Sequence, residues 1–163
     1  MDVLVGLVVL VIAYVLASVF YPLLTGGAGY TPAPRRDVAE ALALVGLRRD
    51  EVFYDLGCGT GEALMEASKL CDHVTGVEIE PLRWLIARLR ARDAEVILGN
   101  LFKKDISDAD VVFIFQYHGR INNRIARKIK DEAPQGTRVI SYGHEIDVLR
   151  LETRQGETFI YRT

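Results

Sequence analysis

The chain has 163 residues, 20 Lys plus Arg against 22 Asp plus Glu, a formal net charge of −2 and two cysteines. That length suffices for one globular domain with an appendage, and so small a net charge excludes a protein built mainly to grip a nucleic-acid backbone. Cys58 and Cys71 lie in no metal-ligand spacing and no Cys/His cluster accompanies them, so no metal is expected and a reduced compartment fits.

Residues Val3 to Leu24 are apolar almost throughout, and no Lys or Arg occurs before Arg35. As a helix they reach about 33 Å, enough to cross a hydrocarbon core of about 30 Å. The segment has no basic n-region and exceeds a typical h-region, so a retained single transmembrane anchor over 1–24 is expected rather than a cleaved leader. Tyr21 suits the interface, and Arg35 and Arg36 after the span put the globular part on the cytoplasmic side of the cell membrane. Thr25 to Gly29 reads as a flexible linker. It leads into Tyr30-Thr31-Pro32-Ala33-Pro34, an aromatic beside two prolines, so 25–34 is expected to act as linker and lid. A helix with Val38, Leu42 and Val45 on one face follows and stops at Gly46.

Val52 to Leu56 forms a short apolar strand carrying Asp55 at its end, followed by Gly57-Cys58-Gly59-Thr60-Gly61. Glycines at alternate positions let the backbone turn and approach a ligand closely, and the helix from Ala63 to Leu70 presents unpaired N–H groups to it. The strand Val74 to Ile79 then carries Glu78, twenty-one residues after Gly57, where a carboxylate grips a ribose diol in a doubly wound α/β fold. The spacing predicts a nucleoside-cofactor site. Gly61 is followed by Glu62, so the Gly-x-Gly-x-x-Gly dinucleotide pattern is not met. Asp55 and Glu62 would repel a pyrophosphate but suit a cationic sulfonium and its amino group.

Pro81 opens the next helix. Leu82, Leu85, Ile86 and Leu89 form its expected buried stripe, with Arg83, Arg88, Arg90 and Arg92 outward. Ala94 to Leu98 is a third strand ending at Gly99-Asn100. There the Asn100 amide can meet an adenine edge, or simply form a turn, with Ile79 and Leu101 on either side of the ring. Asp110 to Phe115 is a central parallel strand. It ends in Gln116-Tyr117-His118-Gly119, so Phe115 borders the cofactor and Tyr117 and His118 the acceptor. Ile121, Ile125 and Ile129 mark the buried side of the next helix, and Arg120, Arg124, Arg127, Lys128 and Lys130 its other faces. Thr137 to Tyr142 is a fifth strand, and Val148 to Thr153 with Glu157 to Tyr161 a hairpin. The expected architecture is a Rossmann-like α/β sheet of seven strands with helices on both faces, over residues 35–163.

The Asp-x-Gly-x-Gly-x-Gly loop with Glu78 resembles the signature of class I S-adenosylmethionine-dependent methyltransferases. Tyr30-x-Pro-x-Pro, Gly76-x-Glu78, Gly99-Asn100-Leu101-Phe102 and Gly136-Thr137-Arg138-Val139-Ile140-Ser141 extend the likeness over Tyr30 to Ile146. Together they resemble the small archaeal broad-specificity protein lysine methyltransferases and the membrane-anchored mitochondrial enzymes that methylate ATP synthase subunit c and the adenine nucleotide carrier. The resemblance implies S-adenosylmethionine held by Asp55, Gly57, Gly59, Gly61, Glu78 and Asn100; Cys58 within the loop, and Ile79, Leu101 and Phe115 around the ligand, complete the expected cofactor site. Tyr30 and Pro32 would close over it, with protein lysine as acceptor and no nucleic-acid partner. Thr60-Gly61-Glu62 departs from the Asp-Gly-Arg of many relatives. Methyl transfer needs a neutral amine placed in line, and an apolar, aromatic entry lowers a lysine pKa by desolvation. Tyr30, Phe115 and Tyr117 suit that entry; no catalytic base is assigned, and His118 and His144 have only surface or capping roles as the alternative to proton relay. The competing readings are a lipid or other small membrane-associated acceptor, a cofactor-binding module without turnover, and, more distantly, a nicotinamide-dependent oxidoreductase.

Overall fold

The protein is described here by a computed structural model covering residues 3–24, 31–115 and 119–163. Two compact units divide at Thr31 and Pro32. The first contains helix α1 (Val3–Leu24), whose described side chains, among them Val3, Leu4, Leu10 and Ile12, are exposed. Among the described residues no helix is long and apolar enough to cross a membrane. The backbone of α1 is helical over 22 residues.

The second unit begins with α2 (Arg35–Val45) and continues β1 (Val52–Leu56), α3 (Glu62–Ala67), β2 (His73–Glu78), α4 (Pro81–Arg90), β3 (Glu95–Leu98), β4 (Val111–Ile114), α5 (Gly119–Glu132), β5 (Arg138–Tyr142), β6 (Arg150–Gln155) and β7 (Thr158–Arg162). The strands form one seven-stranded sheet in the order β3-β2-β1-β4-β5-β7-β6. Its first five members are parallel, and β7 pairs antiparallel with both β5 and β6. The chain winds outward through β2 and β3, then returns to the other side of β1. Strand order therefore reverses between β1 and β4, where open α/β sheets bind ligands.

Side-chain alternation along the strands builds a core on each face. Phe53 and Phe113 join Val38 and Leu42 of α2, Leu64 of α3 and Ala87 of α4. Tyr54, Leu56 and Ile114 join Ile125 and Ile129 of α5 with Tyr161. Helix α2 stops as its sequence requires: Gly46 takes φ 65° and its N–H donates to Ala43 O at 3.1 Å, while Leu47 N donates to Leu42 O at 3.2 Å.

Three expectations are corrected. The stripe on α4 is not buried: Leu85 is 45% and Leu89 61% exposed, whereas Ala87 is fully buried. The small Ala87 faces inward because α4 lies close against the glycine loop, and larger side chains are displaced outward. Trp84 anchors the helix instead, its indole N–H donating to Val96 O at 2.9 Å. On α5, Lys128 is buried rather than outward, its ammonium paired with Glu132 one turn on. The hairpin is shifted: Gly156, at φ 55°, makes the turn, so Gln155 remains in β6 and β7 starts at Thr158.

Candidate functional site

The crevice at the C-terminal ends of β1, β2 and β4 is built by the glycine loop. As β1 ends, the N–H groups of Gly57 and Cys58 both donate to Val77 O, at 2.9 and 3.0 Å, docking the loop on β2. Gly57, Gly59 and Gly61 have φ of 101°, 55° and 89°, values that L side chains rarely adopt. Gly61 is required for space too, since a Cβ there would lie 3.3 Å from Ala87.

Glu78 closes the loop from the neighbouring strand. Its Oε2 accepts from Gly59 N at 2.9 Å and its Oε1 from Glu80 N at 2.8 Å. Each carboxylate oxygen has a lone pair left over for a hydroxyl, so the group is fixed in place yet able to accept a ribose diol. Asp55 is 4% exposed at the tip of β1. Burial holds its pKa well above the carboxylate range, and the charges of Glu78 and Glu62 raise it further. Among the described residues neither Asp55 nor Glu78 is ion-paired with a Lys or Arg. Buried carboxylates without a cation favour a ligand that brings one. The sulfonium and amino groups of S-adenosylmethionine fit that donor set; a pyrophosphate does not.

The other expected contacts are distributed around this pair. The Cys58 side chain turns into the core against Gly76, and burial pushes its thiol far up, so only its backbone faces the crevice. Asn100 is exposed, and its Oδ1 caps the short turn Leu101–Lys103 by accepting from Phe102 N at 2.9 Å. Its amide NH2 is the part left to meet an adenine nitrogen. Ile79 is 69% exposed at the end of β2, and half-buried Leu101 packs on the core after β3. Phe115, half-buried after β4, meets Tyr142 edge-on with centroids 5.1 Å apart at 79°. Pro32 is exposed ahead of α2. Tyr30, Tyr117 and His118 lie outside the described residues. Ser141 donates to the backbone carbonyl of His144 at 2.6 Å.

Glu62, expected near the sulfonium, also has partners within the protein. It is ion-paired with Arg90 of α4 at 2.6 Å and accepts from the Thr60 hydroxyl at 2.9 Å. The departure from Asp-Gly-Arg thus coincides with an arginine supplied by another helix. Sequence reasoning missed Arg90, which stood among three arginines on α4 with nothing to single it out. It also missed Tyr142, whose hydroxyl donates to Asp37 of α2.

The Gly-Thr-Arg-Val stretch has an architectural role. The Thr137 hydroxyl donates to Ala109 O at 2.6 Å and to Pro134 O at 2.8 Å. Arg138 donates to Val45 O at 2.8 Å and pairs with Glu51 at 2.5 Å. Both residues sit at the N-terminal edge of the parallel strands, opposite the crevice.

Comparison with known proteins agrees with this geometry. The family described as the ANTKMT methyltransferase domain matches residues 55–153. A protein-lysine N-methyltransferase of Saccharolobus islandicus is 34% identical over 125 residues, 72% of this chain and 77% of that protein. Among solved structures, an RNA methyltransferase from Salinibacter ruber in complex with S-adenosyl-L-homocysteine is 27% identical, with a TM-score of 0.70 over 81% of this chain and 92% of that one. A precorrin 8w decarboxylase of Methanobacterium thermoautotrophicum, 16% identical with a TM-score of 0.64 over 82% of this chain and 92% of that one, shares the fold. The chain belongs to the ANTKMT methyltransferase domain family and is a class I S-adenosylmethionine-dependent methyltransferase.

Proposed function

We propose that this methyltransferase transfers the methyl group of S-adenosylmethionine to lysine side chains of protein substrates, and that α1 tethers it to a membrane with the catalytic unit on the cytoplasmic side. The observation that carries the donor half is the pair of carboxylates, Asp55 and Glu78, ion-paired with no Lys or Arg among the described residues, at adjacent strand tips beside the glycine loop. The acceptor half is supported by the 34% identical protein-lysine N-methyltransferase. An RNA acceptor, prompted by the Salinibacter ruber relative, is disfavoured by a net charge of −2, which gives no steering toward phosphate.

In this reading Glu78 holds the ribose, the Asn100 amide the adenine edge, and Asp55 the charged methionine end. Phe115 and Tyr142 form an aromatic wall at the ends of β4 and β5. Such a wall disfavours the ammonium form of an entering lysine, leaving the free amine that attacks in line. The tether is supported by the almost wholly apolar sequence of Val3 to Leu24 followed by Arg35 and Arg36.

Incubating the full chain with methyl-labelled cofactor and membrane or soluble extract tests the acceptor. Label in protein bands that disappears after lysine blocking supports the proposal. Label in the organic phase or in RNase-sensitive material replaces the acceptor, and cofactor binding without transfer leaves a binding module. Extraction of the chain from membranes by alkaline carbonate would remove the tether.

A further inference from the structure

The glycine loop is held at its start by Val77 O and at its middle by Glu78. Its far end is held by a helix outside the β1–loop–α3 unit. Arg90, in the last turn of α4, reaches back over the loop with one nitrogen. Nη1 donates to Thr60 O at 3.1 Å, Thr60 Oγ1 at 3.0 Å and Glu62 Oε1 at 2.6 Å. One turn earlier, Ala87 backs Gly61 so closely that a Cβ on the glycine would come within 3.3 Å.

We propose that Arg90 is a positioning residue for the cofactor: by pinning Thr60, Gly61 and Glu62 to α4 it fixes the helix-side end of the glycine loop and sets the affinity for S-adenosylmethionine. This rests on the glycine loop being the cofactor site. Three groups must be held together for the loop to keep its shape. The Thr60 carbonyl fixes the peptide preceding Gly61. The Thr60 hydroxyl is shared with Glu62, and the Glu62 carboxylate opens α3. Without the guanidinium, the Glu62 carboxylate loses its ion pair near a site that already contains Asp55 and Glu78, and the loop must reorganise before the ligand can seat. The penalty falls on binding, because nothing that Arg90 touches reaches the acceptor side of the crevice. Lysine replaces it only in part: its ammonium also offers its donors from one nitrogen, as Nη1 does, but as a compact, strongly hydrated charge on a more flexible stem.

The test measures S-adenosylmethionine dissociation constants by calorimetry on the full chain, with methyl transfer kinetics on the same preparations. For Arg90→Ala the expected change is a five- to tenfold weaker Kd, about what loss of a half-exposed charged pair and its shared hydrogen bonds gives. At saturating cofactor kcat and the acceptor KM should stay within about twofold of wild type. Arg90→Lys should fall between the two. Arg92→Ala, which alters a neighbouring arginine remote from the loop, should bind as wild type does. Glu62→Arg combined with Arg90→Glu should recover part of the affinity that each loses alone. An unchanged Kd in Arg90→Ala, or a double variant no tighter than the weaker single one, overturns the assignment. If Glu78→Ala also binds normally, the glycine-loop site itself falls, which separates the two failures. Should Arg90→Ala melt early, the Kd of the charge-swapped pair decides alone.

Discussion

The Tyr142 hydroxyl donates to the Asp37 carboxylate across 105 positions of chain, joining the end of β5 to the first turn of α2. Burial raises the Tyr142 pKa to about 12, with the bond to Asp37 and its charge adding to the effect. A phenol whose pKa is raised on folding contributes stability that is fully present below pH 10 and lost as pH rises through about 12. Tyr142→Phe is expected to lower unfolding stability by about 1 kcal/mol at pH 7. The gap to wild type should close between pH 10 and pH 12. Denaturant melts of both proteins across that range give the answer: the other tyrosines titrate in each, so a gap that persists at pH 12 would mean this bond is not its source.

Asp55 gives a prediction of the same sign in a different range. Its folded pKa is raised well above 3.8 by burial and by Glu78 and Glu62. Its contribution to the empty protein is therefore most favourable below that value and is lost as pH climbs through the raised folded value. A bound cation reverses this, because it stabilises the carboxylate. Asp55→Asn is expected to raise the melting temperature of the ligand-free protein at pH 7 to 8 and to weaken S-adenosylmethionine binding at least tenfold, the scale of a lost charged contact. In wild type, affinity should rise with pH as Asp55 ionises. Scanning calorimetry without ligand, paired with titrations at several pH values, checks both halves; a variant that melts earlier would make Asp55 a structural acid.

The seven-stranded sheet and the cofactor were legible because they rest on local sequence features. Alternating glycines force a turn, and the Val-rich runs 74–77 and 111–114 suit strands buried on both faces. Glu78 follows at the distance that one βαβ unit sets. The α4 stripe misled because periodicity says which residues share a face, not which face is covered. Leu85 and Leu89 share one that solvent reaches, while Ala87 answers to the steric demand of Gly61. Arg90 and Tyr142 were hidden for another reason: their partners, Thr60 with Glu62 and Asp37, lie 30, 28 and 105 residues away. Only the assembled sheet brings such pairs together. The hairpin slipped by two residues because Gly156, rather than the Arg154-Gln155-Gly156 run as a whole, makes the turn.

Gly76 shows what a mid-strand glycine is for. A Cβ there would lie 2.5 Å from Leu64 Cδ1 and 2.9 Å from Cys58 Sγ, so β2 must be bare where α3 and the glycine loop cross it. Gly76→Ala is expected to cost about 1–3 kcal/mol by overpacking, and to weaken cofactor binding because Cys58 must move. Adding Leu64→Val, which withdraws a methylene from the clash, should recover part of the stability rather than add a second loss. Strictly additive losses in chemical denaturation would exclude the clash.

Arg138 separates architecture from chemistry. At 14% side-chain exposure it pairs with Glu51, itself 5% exposed, and its Nη1 donates to Val45 O at 2.8 Å and Gly46 O at 3.1 Å, tying α2 to the sheet edge away from the crevice. Arg138→Ala is expected to destabilise the fold by about 3 kcal/mol, since it removes one of the two arginines that pair with a buried carboxylate among the described residues. Burial alone would raise the Glu51 pKa, but the hydrogen bond from Arg138 and the bonds and charge of Arg48 outweigh it and hold the pKa below 4.5. The stability it contributes is present above that value and lost as pH falls through the lowered one, so the difference between variant and wild type should narrow on acidification. Well below its melting temperature the variant should bind S-adenosylmethionine within about twofold of wild type, because no group that Arg138 touches lines the crevice. Melting curves from pH 3 to 7, read beside cofactor titrations at 10 °C, test the separation. A large loss of affinity in a fully folded Arg138→Ala protein would mean that the far edge of the sheet governs the site after all.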